Sequence, residues 1–130
     1  MGGVAGHAGL FGTVDGVLIF CRHLLRQWRG EEQHPNYSSV LVRRIFADNP
    51  GSSWRYGFDT PSKVNSSSGR FFSPRSVGHL GFTGTSFWID LDRGIAVVLL
   101  TNRVHPQRSN EKIKDFRPRI HDALMESLLE

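Results

Sequence analysis

Residues 86 to 100 constrain the fold more tightly than any other stretch of the chain. Ser86-Phe87-Trp88-Ile89-Asp90-Leu91 alternates, which puts Phe87, Ile89 and Leu91 on one face of a strand. Asp92-Arg93-Gly94 supplies hairpin-turn chemistry. Ile95-Ala96-Val97-Val98-Leu99-Leu100 then forms an unbroken apolar run rich in β-branched residues, the pattern of a strand covered on both faces.

Helical patterns lie at both ends of the chain. Residues 14 to 29 carry Val17, Cys21, Leu24, Leu25 and Trp28 at the three-and-four spacing of one helix face. Thr13 is placed to cap the N-terminus, Asp15 and the pair Arg26 and Arg29 suit the two ends of the dipole, and Gly30 suits the C′ position. A last helix is expected near Arg117 to Leu129, with Pro118 in its first turn and Phe116, Ile120, Ala123, Leu124 and Leu128 as its apolar face. Between the ends, Val40 to Ala47 reads as a short helix, Asp48-Asn49-Pro50-Gly51 as a turn, and Trp54 to Phe58 as a short strand. Thr60 to Pro74, rich in Ser, Gly and Pro, is expected to be mobile or draped on the surface. At 130 residues this order of elements predicts a single α+β domain over 1–130, with an antiparallel sheet of about three strands between an N-terminal and a C-terminal helix.

Charge excludes one class of partner. The net +4 divides as +2 from residues 1–66 and +2 from residues 67–130, so no basic stripe exists for a nucleic acid. The longest apolar run, six residues, falls far short of the roughly 20 that span a bilayer, so no membrane span is expected. Met1 to His7 has neither the positive nor the apolar region of a signal peptide, which leaves the compartment open, with the periplasm or cell envelope a possibility for a longer parent. Cys21 stands alone, so no internal disulfide forms, and it reads as buried filler. His23, His34, His105 and His121 lack metal-ligand spacing, and neither a metal nor another cofactor is expected. Asp90 and Asp92, two apart at the hairpin end, read as a solvated turn, while Trp28 and Trp88 read as core or sheet-face residues.

The chemistry-bearing cluster is Gly78-His79-Leu80-Gly81-Phe82-Thr83-Gly84-Thr85-Ser86. Three glycines in seven residues weaken a strand, but they suit a backbone that must approach a ligand or donate N–H groups to it. The segment from Gly78 to Asp90 resembles the third motif of the serine β-lactamase and penicillin-binding-protein superfamily. The better-known branches carry Lys-Thr-Gly there. This chain is similar to an esterase-like and peptidase-like branch with His-x-Gly followed by Phe-Thr-Gly-Thr-Ser, matched by His79, Gly81, Phe82, Thr83, Gly84, Thr85 and Ser86. Gly2 to Phe11, Ile95 to Asn102 and the terminal helix extend the resemblance over most of the chain.

The resemblance implies that His79 lines the cleft beside a nucleophilic serine and that the Phe82 N–H is one donor of an oxyanion hole. It further implies that Gly81, Thr83 and Gly84 lie against substrate. Leu80 replaces the usual Thr, removing one polar contact. His7 either helps shape the same cleft or orders the loop before the first helix. A small ester or amide, or a cell-wall peptide, is the implied substrate class.

The superfamily's Ser-x-x-Lys nucleophile motif and its Tyr-x-Asn or Ser-x-Asn second motif are not found in fitting positions. Ser109-Asn110-Glu111-Lys112 matches the first formally, but it follows the last strand, and thirteen Ser and three Lys give about 0.3 such matches by chance. The expectation is therefore a C-terminal portion of a serine hydrolase, inactive alone. A non-catalytic binding module of the same fold and a bare structural half-domain are the alternatives. The 95–101 strand, lacking the charges or bulges that protect natural edges, is expected to mediate self-association.

Overall fold

The computed structural model describes residues 2–3, 5–31 and 36–130. Helix α1 spans Val14–Arg29, with the Thr13 hydroxyl accepting from the Gly16 N–H at 3.1 Å and Gly30 closing the far end at a φ of 73°. Its buried positions are Cys21, Leu24, Leu25 and Gln27. Burial pushes the Cys21 thiol up to about 12, so the thiol is inert at neutral pH. Helix α2, Ser39–Ile45, starts where the Ser38 hydroxyl accepts from the Leu41 N–H, and seats Val42 and the following Phe46 against α1.

The sheet is antiparallel throughout, in the order β1 (Trp54–Arg55), β2 (Phe58–Asp59), β3 (Val77–Leu80), β4 (Ser86–Asp90), β5 (Ile95–Leu99). The three expected strands are β3 to β5. The other two arise because Trp54 to Phe58 is not one strand: Gly57 adopts a φ of 81° and folds the segment into a tight hairpin, bringing the count to five.

Helices α1 and α2 cover one face of the sheet, burying Val77, Ile89 and Leu91 and packing Phe58, Phe87, Ala96 and Val98. On the other face Trp88, Val97, Phe72 and Met125 form a second cluster, so β4 is covered on both sides. Among the described residues no helix is long and apolar enough to cross a membrane.

Three local expectations are overturned in whole or in part, all on that second face. The Thr60 to Pro74 loop lies on the surface at residues 62–65, as expected, but its second half packs against the sheet: Phe72 is 6% exposed against Trp88, and Ser68 is fully buried. A buried Phe contributes on the order of 1.5–3 kcal/mol, and the count of Ser, Gly and Pro hides that contribution. Asp122 fixes the loop further, accepting from the Arg70 N–H at 2.5 Å and from Arg70 Nε at 2.8 Å.

Helix α3, Ile113–Leu129, begins earlier than Pro118 suggests and buries Ile113, Arg117, His121 and Met125, a different stripe from the one apolarity picks out. Phe116, Leu124 and Leu128 are left exposed. The reason is chemical. Arg117 and His121 meet carbonyl and hydroxyl partners on the sheet and the 60–74 loop, and those partners fix the helix rotation.

Asp90 is likewise no solvated turn residue. It is fully buried and accepts from Ser73 N at 3.0 Å, Ser73 Oγ at 2.8 Å, Asp92 N at 3.1 Å, Arg93 N at 3.0 Å and Arg93 Nη1 at 2.7 Å. One carboxylate thus closes the β4–β5 hairpin and anchors the end of the 60–74 loop.

Candidate active site

The site is built on the end of β3 and the turn after it. Gly78 lies against β4 so closely that a Cβ would overlap the Phe87 carbonyl and the Trp88 ring, so only glycine lets the two strands pack flat here. The next residue, His79, is exposed and sits opposite Phe87. Its Nδ1 is 2.9 Å from the Leu80 carbonyl oxygen. A carbonyl can only accept, so Nδ1 carries the proton and Nε2 keeps its lone pair in the neutral ring.

Strand β2 pairs with β3 only at Asp59↔Gly78, so from His79 onward the outer edge of β3 has no strand beside it among the described residues. β3 is thus interior at Gly78 and edge-like at His79. Asp59 lies close enough to interact with His79: burial raises its carboxyl pKa and the imidazole opposes the rise. No sequence signal pointed to Asp59, because only the strand register brings it beside the motif.

Gly81 to Thr85 forms a closed turn, with Gly81 N–H donating to Thr85 O at 2.8 Å and Gly84 N–H to Gly81 O at 3.0 Å. Gly84 holds a φ of 106°, a region unfavourable to other residues. Phe82 protrudes at the tip, 60% exposed, and among the described residues its N–H has no hydrogen-bond partner. Two guanidiniums lie over its ring, those of Arg103 at 4.7 Å and Arg108 at 5.0 Å. Arg103 also holds the turn's backbone, with Nε donating to Phe82 O at 2.9 Å and its N–H to Thr83 O at 2.7 Å. From below, Arg117 Nη2 donates to Gly81 O and Thr85 O, both at 2.8 Å. Sequence reasoning marked neither arginine.

Behind the turn, Ser86 Oγ is 3.2 Å from His121 Nε2, while His121 Nδ1 donates to the Ser67 carbonyl at 2.8 Å. Burial lowers the His121 pKa; the Ser67 carbonyl opposes this and the nearby Arg117 charge adds to it. A hydroxyl on a neutral imidazole has the connectivity of an activated nucleophile. Ser86 is only 3% exposed and His121 not at all, so this pair joins α3 to the sheet and is closed to substrate.

The other candidates make no hydrogen bond to His79 or Phe82 among the described residues. His7 is exposed in a turn closed by reciprocal Ala5 and Ala8 backbone bonds, and among the described residues no hydrogen bond or ion pair joins it to His79. Ser109 is exposed in the connection before α3, and no hydrogen bond links it to Lys112 among the described residues. An open groove of about 250 Å³ beside the turn is lined by Arg103, Asn110, Lys112 and Phe116 among others, but not by His79 or Phe82.

This arrangement, an exposed imidazole followed by a clamped glycine turn with a free N–H, coincides with a match of residues 1–120 to the Beta-lactamase family model. The chain belongs to the β-lactamase family. A putative D-alanyl-D-alanine carboxypeptidase from Salmonella gallinarum is 31% identical over 118 residues, and one from Salmonella agona is 30% identical over the same length. Each alignment covers 87% of this chain and 27% of the relative, so the chain spans about a quarter of the length of these relatives. A crystal structure of a β-lactamase from Mycobacterium bovis superposes with a TM-score of 0.69 at 24% identity, covering 89% of this chain and 44% of that one. That likeness establishes the β-lactamase-like α+β fold.

Proposed function

We propose that these residues form one wall of an acyl-transfer site that cleaves an ester or amide, with cell-wall peptides the leading substrate class. In this reading a serine hydroxyl from outside these 130 residues attacks the carbonyl carbon, the leaving group departs with a proton, and water then hydrolyses the acyl-enzyme. His79 stands beside that serine and orients substrate or steadies developing charge, with Nε2 as the available ring nitrogen. The Phe82 N–H is one donor to the oxyanion, worth on the order of 10²–10³ in rate for such a group. Gly81 lets the substrate backbone lie against β3, Thr83 lines its path with buried Gly84 shaping the turn beneath it, and His7 borders it. Leu80 in place of a hydroxyl residue disfavours carboxylate-bearing β-lactams. The observation that carries the proposal is the unpartnered Phe82 N–H on an exposed, rigidly held turn directly after an exposed His79. Names of the relatives support the peptide class.

The 130 residues alone are expected to leave a chromogenic cephalosporin and a short-chain nitrophenyl ester at background hydrolysis. Turnover abolished by Ser109→Ala would overturn this, because it would make Ser109 the nucleophile. The same peptide class admits a second reading, a binding module for cell-wall peptides, which a Ser-x-x-Lys motif elsewhere in the full-length protein would count against. Titrating the chain with a peptide ending in D-Ala-D-Ala, and finding saturable binding centred on His79 and Phe82 without hydrolysis in any longer form, would select it.

A further inference from the structure

Arg117 is an expensive residue to place where it is. Its side chain lies between α3 and the sheet, 7% exposed, with no carboxylate partner and an unbonded Nε among the described residues. Burying a cation without a counter-charge carries a large desolvation cost, and an apolar side chain of similar length would fill the space without it. What the guanidinium does instead is hold two carbonyls, those of Gly81 and Thr85, at the two ends of the turn.

The Gly81 carbonyl belongs to the same peptide group as the Phe82 N–H. Among the described residues the only cis peptide lies elsewhere, at His105–Pro106, so this group is trans and planar, and its N–H points opposite to its C=O. Arg117 draws that oxygen inward toward α3, and the Gly84 N–H holds it from within the turn. The Phe82 N–H is thereby aimed outward, away from α3. Arg103 fixes the following peptide through the Phe82 carbonyl, so both planes flanking Phe82 are set by arginines. The positive charge on the carbonyl side also polarises the peptide, which strengthens its N–H as a donor.

We infer that Arg117 is the positioning residue of the oxyanion donor, orienting and polarising the Phe82 N–H through the Gly81–Phe82 peptide. The inference rests on the reading of Phe82 as that donor. Sequence proximity gives no hint of it, since Arg117 lies 36 residues from Gly81.

Backbone amide NMR on the 130-residue chain tests it, with residual dipolar couplings for the direction of the Phe82 N–H and relaxation for its order. In the wild type that vector should point away from α3 with an order parameter near the rigid value of about 0.85. In Arg117→Met it should reorient and fall below about 0.6, while Val77, Trp88 and Val97 keep their couplings. Arg117→Lys, with a point charge able to serve one carbonyl well, should fall between the two. A Phe82 vector unchanged in Arg117→Met, whatever that variant does to the melting temperature, overturns the inference. Should Arg117→Met fail to fold, an unchanged vector in Arg117→Lys overturns it equally. Failure of the oxyanion reading looks different: a wild-type Phe82 N–H already loose, or turned toward α3, removes the donor itself.

Discussion

Replacing Asp90 with Ala should lower the stability of the chain by roughly 3 kcal/mol or more, because the buried Ser73 donors lose a charged acceptor and are left unsatisfied. The Asp90 carboxylate is fully buried and receives hydrogen bonds from Ser73, Asp92 and Arg93. Truncation leaves the buried Ser73 donors without an acceptor, while those of Asp92 and Arg93, on exposed residues, can turn to water. Asp90→Asn keeps the shape and one acceptor oxygen, and should cost less, about 1–3 kcal/mol. Urea unfolding with an unchanged slope would give both values, and a loss under about 1 kcal/mol for Ala would refute the account.

The same carboxylate sets part of the pH dependence. Burial opposes its ionisation, but hydrogen bonds from the Ser73 and Arg93 backbones and side chains outweigh it, so its pKa lies below the usual range. Its stabilisation is complete above the unfolded value, about 3.9, and is lost as pH falls through the lowered folded value. His121 acts in a higher window. Its depressed folded pKa means full stabilisation above the unfolded value, about 6.5, and loss as pH falls through the lower folded one. Asp90→Asn should therefore flatten only the more acidic part of the profile.

The second large effect is on assembly. β5 ends the sheet, and among the described residues no strand pairs with its outer edge. The 60–74 loop packs on the face of β4 away from α1 through Phe72, and the residues near the N-terminus, including Leu10 and Phe11, are exposed. Adjacent amides on a strand point to opposite sides, so one of Val97 and Val98 bonds to β4 while the other faces outward. An open apolar edge is a template for another strand. The chain is expected to sediment as dimers or larger species at micromolar concentration, with the outward amide protected from exchange only as concentration rises. A clean monomer with both amides slow would show that the edge is covered within one chain.

The contrast between α1 and α3 shows what a sequence can and cannot disclose. α1 is legible because its caps are local, Thr13 to Gly16 and Gly30 to Gln27, and its buried face is apolar apart from Gln27. Apolar spacing misplaces the buried face of α3 because its rotation is fixed by Arg117 and His121, whose partners lie 32 to 54 residues away and cannot be inferred from periodicity. The site divides in the same way. His79, Gly81, Phe82 and Gly84 stand in one contiguous motif, so their grouping could be read directly. Asp59, Arg103 and Arg117 reach it only through strand register, an interresidue clamp and helix rotation. Asp90 escaped because an acid beside a turn ordinarily faces water, and its burial depends on Ser73, 17 residues earlier, folding back over it.

The bonds between the 60–74 loop and α3 bear on how the protein opens. Arg70 to Asp122 and Ser67 to His121 join segments separated by 52 and 54 residues, and Phe72 packs beside Met125. Neither segment can keep its place once the other leaves, whereas α1 and α2 retain their own packing on the far side of the sheet. Loop and α3 should thus exchange their protons as one cooperative unit, in a partial unfolding event of lower free energy than the melting of β3, β4 and α1.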